Sequence, residues 1–182
     1  TPLPVYGPAG VEEVVAGFNG AYRQDAIYRT AHHGEAVAPP SGAGMTVHPF
    51  APPAPGEAPV VFEKDGLRVT AFAVDHDPVR PAVGYRFEYG GRSLVVSGDT
   101  AKSANLEAQA KGVDLLVHEA LAPQLVNRLH DAAVVAGRAN IAKISNDILD
   151  YHTTPVEAAQ IAQADGVKHL LFYHVVPPLP LP

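Results

Sequence analysis

The sequence predicts an α/β protein of the layered α+β kind, a mixed sheet covered by helices, on three observations. Short β-rich runs follow one another between residues 60 and 97, split by Asp65-Gly66 and Gly90-Gly91. Beyond residue 97 the apolar period lengthens from two towards 3.6, and helical and strand patterns alternate. Apolar residues are 47% and charged residues 18% of 182, the balance of a globular chain that buries roughly 70% of its unfolded surface. We expect one domain spanning 1–182.

Taken in order, Val11, Val14, Val15, Phe18 and Tyr22 recur at helical spacing after Gly7-Pro8-Ala9-Gly10, so a helix begins there and should fray near Gly17 and Gly20. Residues 39–59 hold seven prolines and three glycines, which predicts a long Pro/Gly-rich surface loop. Four strands are expected at Val60 to Glu63, Leu67 to Val74, Ala82 to Tyr89 and Ser93 to Ser97. Ala101 to Lys111 follows as a helix, Val113 to Val117 as a buried strand, and Leu121, Leu125, Leu129 and Ala133 as a second helical face. Thr154, Pro155 and Glu157 occupy cap, first-turn and N3 positions, a capping box opening a helix that runs to about Asp165. Lys168 to Tyr173 is a last strand.

Several function classes fall away at once. The formal charge is −6 and the five lysines are scattered, which argues against a nucleic-acid groove. No cysteine means no disulfide, thiolate metal site or thiol nucleophile. Neither a membrane-length apolar run nor a signal-peptide pattern is present in the sequence as given.

Nine histidines against nineteen acidic residues is a high density. His76, His118 and His174 follow predicted strands, His152 precedes the capping box, and Asp99 follows a strand in Ser97-Gly98-Asp99-Thr100. Strands leaving a sheet at one edge would bring these groups together. Imidazole nitrogen and carboxylate oxygen suit zinc, manganese or iron, and a carboxylate can bridge two ions. The alternative is that strand-end histidines are polar residues satisfied by backbone carbonyls.

In chain order, Val74-Asp75-His76, Gly84-Tyr85-Arg86, Ser97-Gly98-Asp99-Thr100, Val117-His118-Glu119-Ala120, His152-Thr153-Thr154 and Tyr173-His174 resemble the later motifs of the metallo-β-lactamase superfamily. The resemblance is stronger to its ribonuclease Z-like branch. It implies the αββα sandwich, here mainly its later half, and a binuclear metallohydrolase with two divalent ions, zinc first, manganese and iron also compatible. On that resemblance His76 and His174 each ligate one metal and Asp99 bridges. His152 gives a proton to the leaving oxygen, Glu119 orients His152, and His118 of the same run joins the catalytic set. The physical logic agrees, since hydrolysis needs an activated water and a separate acid.

The family's early H-x-H-x-D-H loop has no counterpart; His32-His33-Gly34-Glu35 is the only histidine cluster before His76. The chain starts at Thr1 and ends in Pro-Leu-Pro-Leu-Pro, so we expect a missing N-terminal half or a second chain to complete the site. The resemblance also admits a homodimer.

The family's transfer RNA arm lies between the Gly-Tyr-Arg strand and the next, where only Phe87 to Gly91 separate Arg86 from Arg92. A small anionic ester, phosphodiester or aryl sulfate, is therefore the expected substrate. Transfer RNA 3′ processing and a non-catalytic module of the same fold are the alternatives. Arg80 is a candidate for an anionic group, or for a pair with a nearby carboxylate. Localisation stays open between cytoplasm and periplasm.

Overall fold

The computed structural model describes residues Thr1 to Pro178; most of the terminal Pro-Leu run lies outside the described residues. The chain forms two compact units, Thr1–Pro52 and Pro53–Pro182.

In the first unit, strand β1 (Leu3–Pro8) pairs in parallel with β2 (Met45–Phe50), and helix α1 (Val11–His33) connects them. Gly10 opens the helix with φ 104°, and the Gly34 N–H closes it on the Thr30 carbonyl at 2.8 Å. The helix runs straight through Gly17 and Gly20, against the expected fraying. A glycine costs a helix interior about 1 kcal/mol, and Asn19, between the two, anchors the turn. Its side chain accepts the Met45 N–H at 2.8 Å and donates to the Met45 carbonyl at 2.9 Å.

Those bonds also explain why segment 39–59 is not loop throughout. It holds a 3-10 turn at Pro40–Gly42 and the strand β2, which tolerates Pro49 because a two-stranded sheet is all edge. His48 in β2 stacks on Tyr6 in β1, ring centroids 4.5 Å apart.

The second unit is a six-stranded mixed sheet in the order β3 (Val60–Lys64), β4 (Leu67–Ala73), β5 (Val83–Tyr89), β6 (Arg92–Val96), β7 (Leu115–Leu121), β8 (His169–Val176). The first three pairings are antiparallel and the last two parallel. The antiparallel turns are the expected ones: Asp65 and Gly66 both have positive φ, as do Gly90 and Gly91, the signature of tight two-residue hairpins.

Helices α2 (Ala104–Ala110) and α5 (Pro155–Ala164) pack on one face of the sheet. Phe72, Val95 and Leu116 from β4, β6 and β7 meet Leu106 and Ala110 of α2 and Ile161 and Ala162 of α5. At roughly 1.5–3 kcal/mol per large buried side chain, this cluster is the main stabilising element of the unit. Gly84 admits the Phe72 ring, since a Cβ there would lie 2.5 Å from it.

The capping box at α5 is complete: Thr154 Oγ1 accepts the Glu157 N–H, and the Glu157 carboxylate accepts the Thr154 N–H. Helices α3 (Pro123–Val135) and α4 (Ala139–Asp147) pack on each other. Leu121, expected on the α3 face, instead ends β7 and is buried. No helix among the described residues is long and apolar enough to cross a membrane.

Candidate active site

The parallel strands β6, β7 and β8 carry candidate groups to one end of the sheet. After β6 the chain turns at Gly98, whose φ of 68° is in the left-handed region. A Cβ there would fall 2.6 Å from the Val83 carbonyl oxygen, so glycine alone lets Asp99 leave the sheet at this angle. In β8 the register slips opposite Glu119 and Ala120: Tyr173 pairs with Glu119 and Val175 with Ala120. His174 is the extra residue, with φ 43°, a bulge that re-aims its side chain. Its Nε2 lies 3.4 Å from Asp99 Oδ2, both side chains accessible at 45% and 37%.

His152 lies between His76 and His174, its ring centroid 5.3 Å from the first and 5.8 Å from the second. Its Nδ1 is 2.9 Å from Glu119 Oε1. That oxygen also accepts the backbone N–H groups of Thr100 and Thr153, each at 3.1 Å. A carboxylate oxygen is an acceptor, so Nδ1 carries the proton and Nε2 is the nitrogen left for chemistry. Glu119 is wholly buried and His152 nearly so; the pair is held rigidly before any substrate arrives.

His76, in the loop after β4, is fixed in the same way, its Nδ1 lying 3.0 Å from the Tyr151 carbonyl and therefore donating to it. The Tyr151 ring stands edge-on to His76 at 5.0 Å. The loop is stitched to the Asp99 turn by Asp75 N–H to Thr100 Oγ1 (3.1 Å) and Ala101 N–H to the Asp75 carbonyl (2.7 Å).

His118 needs a correction. It does not follow the strand but lies inside β7 and is fully buried. Its Nδ1 is 2.7 Å from the Glu119 carbonyl, and burial lowers its pKa, so it stays neutral. Among the described residues it makes no ring contact with His76, His152 or His174, and its position is that of a core residue. Arg80 pairs with Asp77 at 3.0 Å, the carboxylate option of the two expected. Tyr151, Thr100, Thr153 and Ser97 were not singled out from sequence. Their parts are played by main-chain groups and short hydroxyl bonds that leave no composition signal; Ser97 Oγ, for example, accepts the Glu119 N–H at 3.1 Å.

Imidazoles and a carboxylate match a divalent metal in kind. In number they fall short, as no three His, Asp or Glu side chains among the described residues are grouped to hold an ion. His76, Asp99 and His174 are thus a partial donor set.

The family model described as a beta-lactamase superfamily domain matches residues 1–175. A ribonuclease Z of Mycolicibacterium paratuberculosis is 36% identical over 178 residues, 98% of this chain and 56% of its own. The ribonuclease Z of Mycobacterium tuberculosis strain H37Rv is 35% identical over 176 residues, 97% of this chain and 57% of its own. The chain therefore spans a little over half the length of these curated relatives. Among solved structures, human tRNase Z, short form, superposes with a TM-score of 0.58 at 21% identity, covering 96% of this chain and 61% of that one. The metallo-beta-lactamase fold protein YhfI from Bacillus subtilis gives 0.58 at 19%, covering 99% and 55%. With the motif order, the sheet and these matches together, the chain belongs to the metallo-β-lactamase superfamily, in its ribonuclease Z-like branch.

Proposed function

We propose that this chain carries the later half of a metal-dependent phosphodiesterase site, and that its substrate is the 3′ end of precursor transfer RNA. The observation that carries the reading is the buried Glu119–His152 pair set between His76 and the Asp99–His174 pair. The ribonuclease Z names of its relatives support RNA over the small ester that the sequence favoured. What favours the small ester is specific: the β5–β6 turn is only Gly90-Gly91, with no arm, and the net charge is −6.

His76, Asp99 and His174 would hold the metal, with further ligands from outside these 182 residues, in a missing segment or a second chain. When bound, the metal, zinc first, would supply charge stabilisation and a lowered water pKa. The rest of the chemistry falls to this chain's side chains. Glu119 keeps the proton of neutral His152 on Nδ1, so His152 delivers a proton from Nε2 only as imidazolium, which the buried carboxylate stabilises. Gly98 and the β8 bulge aim Asp99 and His174 without help from a ligand.

The test is cleavage by the longest expressed polypeptide containing these residues, offered a precursor transfer RNA, a bis-aryl phosphodiester and an aryl sulfate. Precursor trimmed to a 3′-hydroxyl end, with His152→Ala at least about 100-fold slower, is the expected result. Activity on the small diester or sulfate alone would move the function to the small-ester reading. No activity on any of the three, with full folding, would leave a non-catalytic module.

A further inference from the structure

Thr153 stands next to His152 in sequence but has no part in the chemistry above, and it is not the helix cap, which is Thr154. It is nevertheless wholly buried. Its Oγ1 donates to the Thr100 carbonyl at 2.6 Å, its N–H donates to Glu119 Oε1 at 3.1 Å, and its own carbonyl accepts the Leu121 N–H at 2.9 Å. One residue thus ties three segments: the turn that carries Asp99, the end of β7, and the loop that carries His152. Thr100, the recipient of the hydroxyl bond, is itself buried and sends its N–H to the same Glu119 oxygen at 3.1 Å.

These bonds form a closed ring through Thr153 Oγ1, the Thr100 carbonyl, the Thr100 N–H, Glu119 Oε1 and the Thr153 N–H. His152 Nδ1 is the one side-chain donor hung on it. A buried hydroxyl meeting a buried carbonyl is costly to lose, because the carbonyl then has no water to turn to. The hydroxyl joins the His152 loop to the Asp99 turn directly, whereas the other side-chain link in this ring runs through Glu119 Oε1. A residue that only filled space there could as well be valine.

We propose that Thr153 is a positioning residue: its hydroxyl fixes the His152 loop against the Asp99 turn, and so sets the Nδ1–H form of His152 and the distance of its Nε2 from the Asp99–His174 pair. The proposal rests on the hydrolytic reading for its consequence in catalysis, and on geometry alone for its consequence in His152.

The test separates the two. Side-chain 15N and low-field 1H spectra of His152 are recorded for the longest expressed polypeptide containing these residues, as wild type, Thr153→Val, Thr153→Ser and Thr153→Ala. Kinetics on precursor transfer RNA are measured with the same substitutions in the longest expressed polypeptide. Wild type and Thr153→Ser should show a slowly exchanging Nδ1 proton and one neutral tautomer. Thr153→Val, isosteric but without the donor, should lose the slow proton and show mixed tautomers, with kcat down roughly 100-fold and KM within about twofold. Should the valine variant fail to fold, Thr153→Ala against Thr153→Ser makes the same comparison.

Valine or alanine spectra identical to wild type would overturn the proposal whether or not the protein cleaves RNA. So would a serine variant as impaired as valine, since the methyl and not the hydroxyl would then be at work. Spectral changes as expected in a protein that cleaves no substrate would keep Thr153 in its positioning role and refute only the hydrolytic reading.

Discussion

Removing the Glu119 side chain should cost far more than removing its charge. Glu119→Ala deletes the one acceptor of three donors: the buried N–H groups of Thr100 and Thr153, and His152 Nδ1. Each buried donor left without a partner costs about 1–3 kcal/mol, and the new cavity adds to that, so the variant should lose at least about 3 kcal/mol. Glu119→Gln is different. Its amide oxygen can take the place of Oε1 and keep all three bonds as neutral ones, while the NH2 takes the place of Oε2, which has no hydrogen-bond partner now. The loss of charge assistance should cost about 1–2 kcal/mol. Urea unfolding followed by far-UV circular dichroism measures both. Equal losses in the two variants, or an alanine variant within 1 kcal/mol of wild type, would refute the idea that Glu119 is the acceptor on which the loops converge.

Two further outcomes follow from the same geometry. Gly98→Ala should destabilise by at least about 2 kcal/mol, from the left-handed backbone and the 2.6 Å approach to the Val83 carbonyl; a loss below about 0.5 kcal/mol by urea unfolding would contradict it. His118 has its pKa lowered by burial in the fold, against about 6.5 in the unfolded chain. The unfolded chain therefore takes up the proton first. The contribution to stability is complete above about pH 6.5 and is lost as pH falls towards the lowered folded value, with a slope of up to about 1.4 kcal/mol per pH unit. Urea midpoints from pH 8 to 5 should show this slope in wild type and a shallower one in His118→Gln; parallel profiles would place His118 in contact with water.

The sheet was legible in the sequence where turn chemistry marks it. Asp65-Gly66 and Gly90-Gly91 carry positive φ as such dipeptides demand, and Thr154 with Glu157 forms the expected capping box. Strand ends were not legible inside apolar runs. Val113 to Val117 reads as a complete buried strand, yet β7 continues to Leu121 because His118 and Glu119 find hydrogen bonds within the fold. A strand that stops at Val117 would put His118 at the sheet edge; the longer β7 puts it inside. The grouping of His76, Asp99, His152 and His174 could be read from chain order, but its precision rests on features without a residue signature. The β8 bulge at His174 depends on register, and the seat of His76 is a main-chain carbonyl. Helix α4 went unread because Ile141 and Ile144 remain exposed, so its apolar positions do not mark a buried face.

The most direct measurement of the central claim is metal content by native mass spectrometry of the longest expressed polypeptide containing this chain. It would be titrated with zinc, as wild type and as Asp99→Ala and His174→Ala. Two zinc ions should bind per wild-type domain, and each variant should lose at least one with folding intact. A folded wild type that takes up no zinc, or variants that bind as much as wild type, would contradict it.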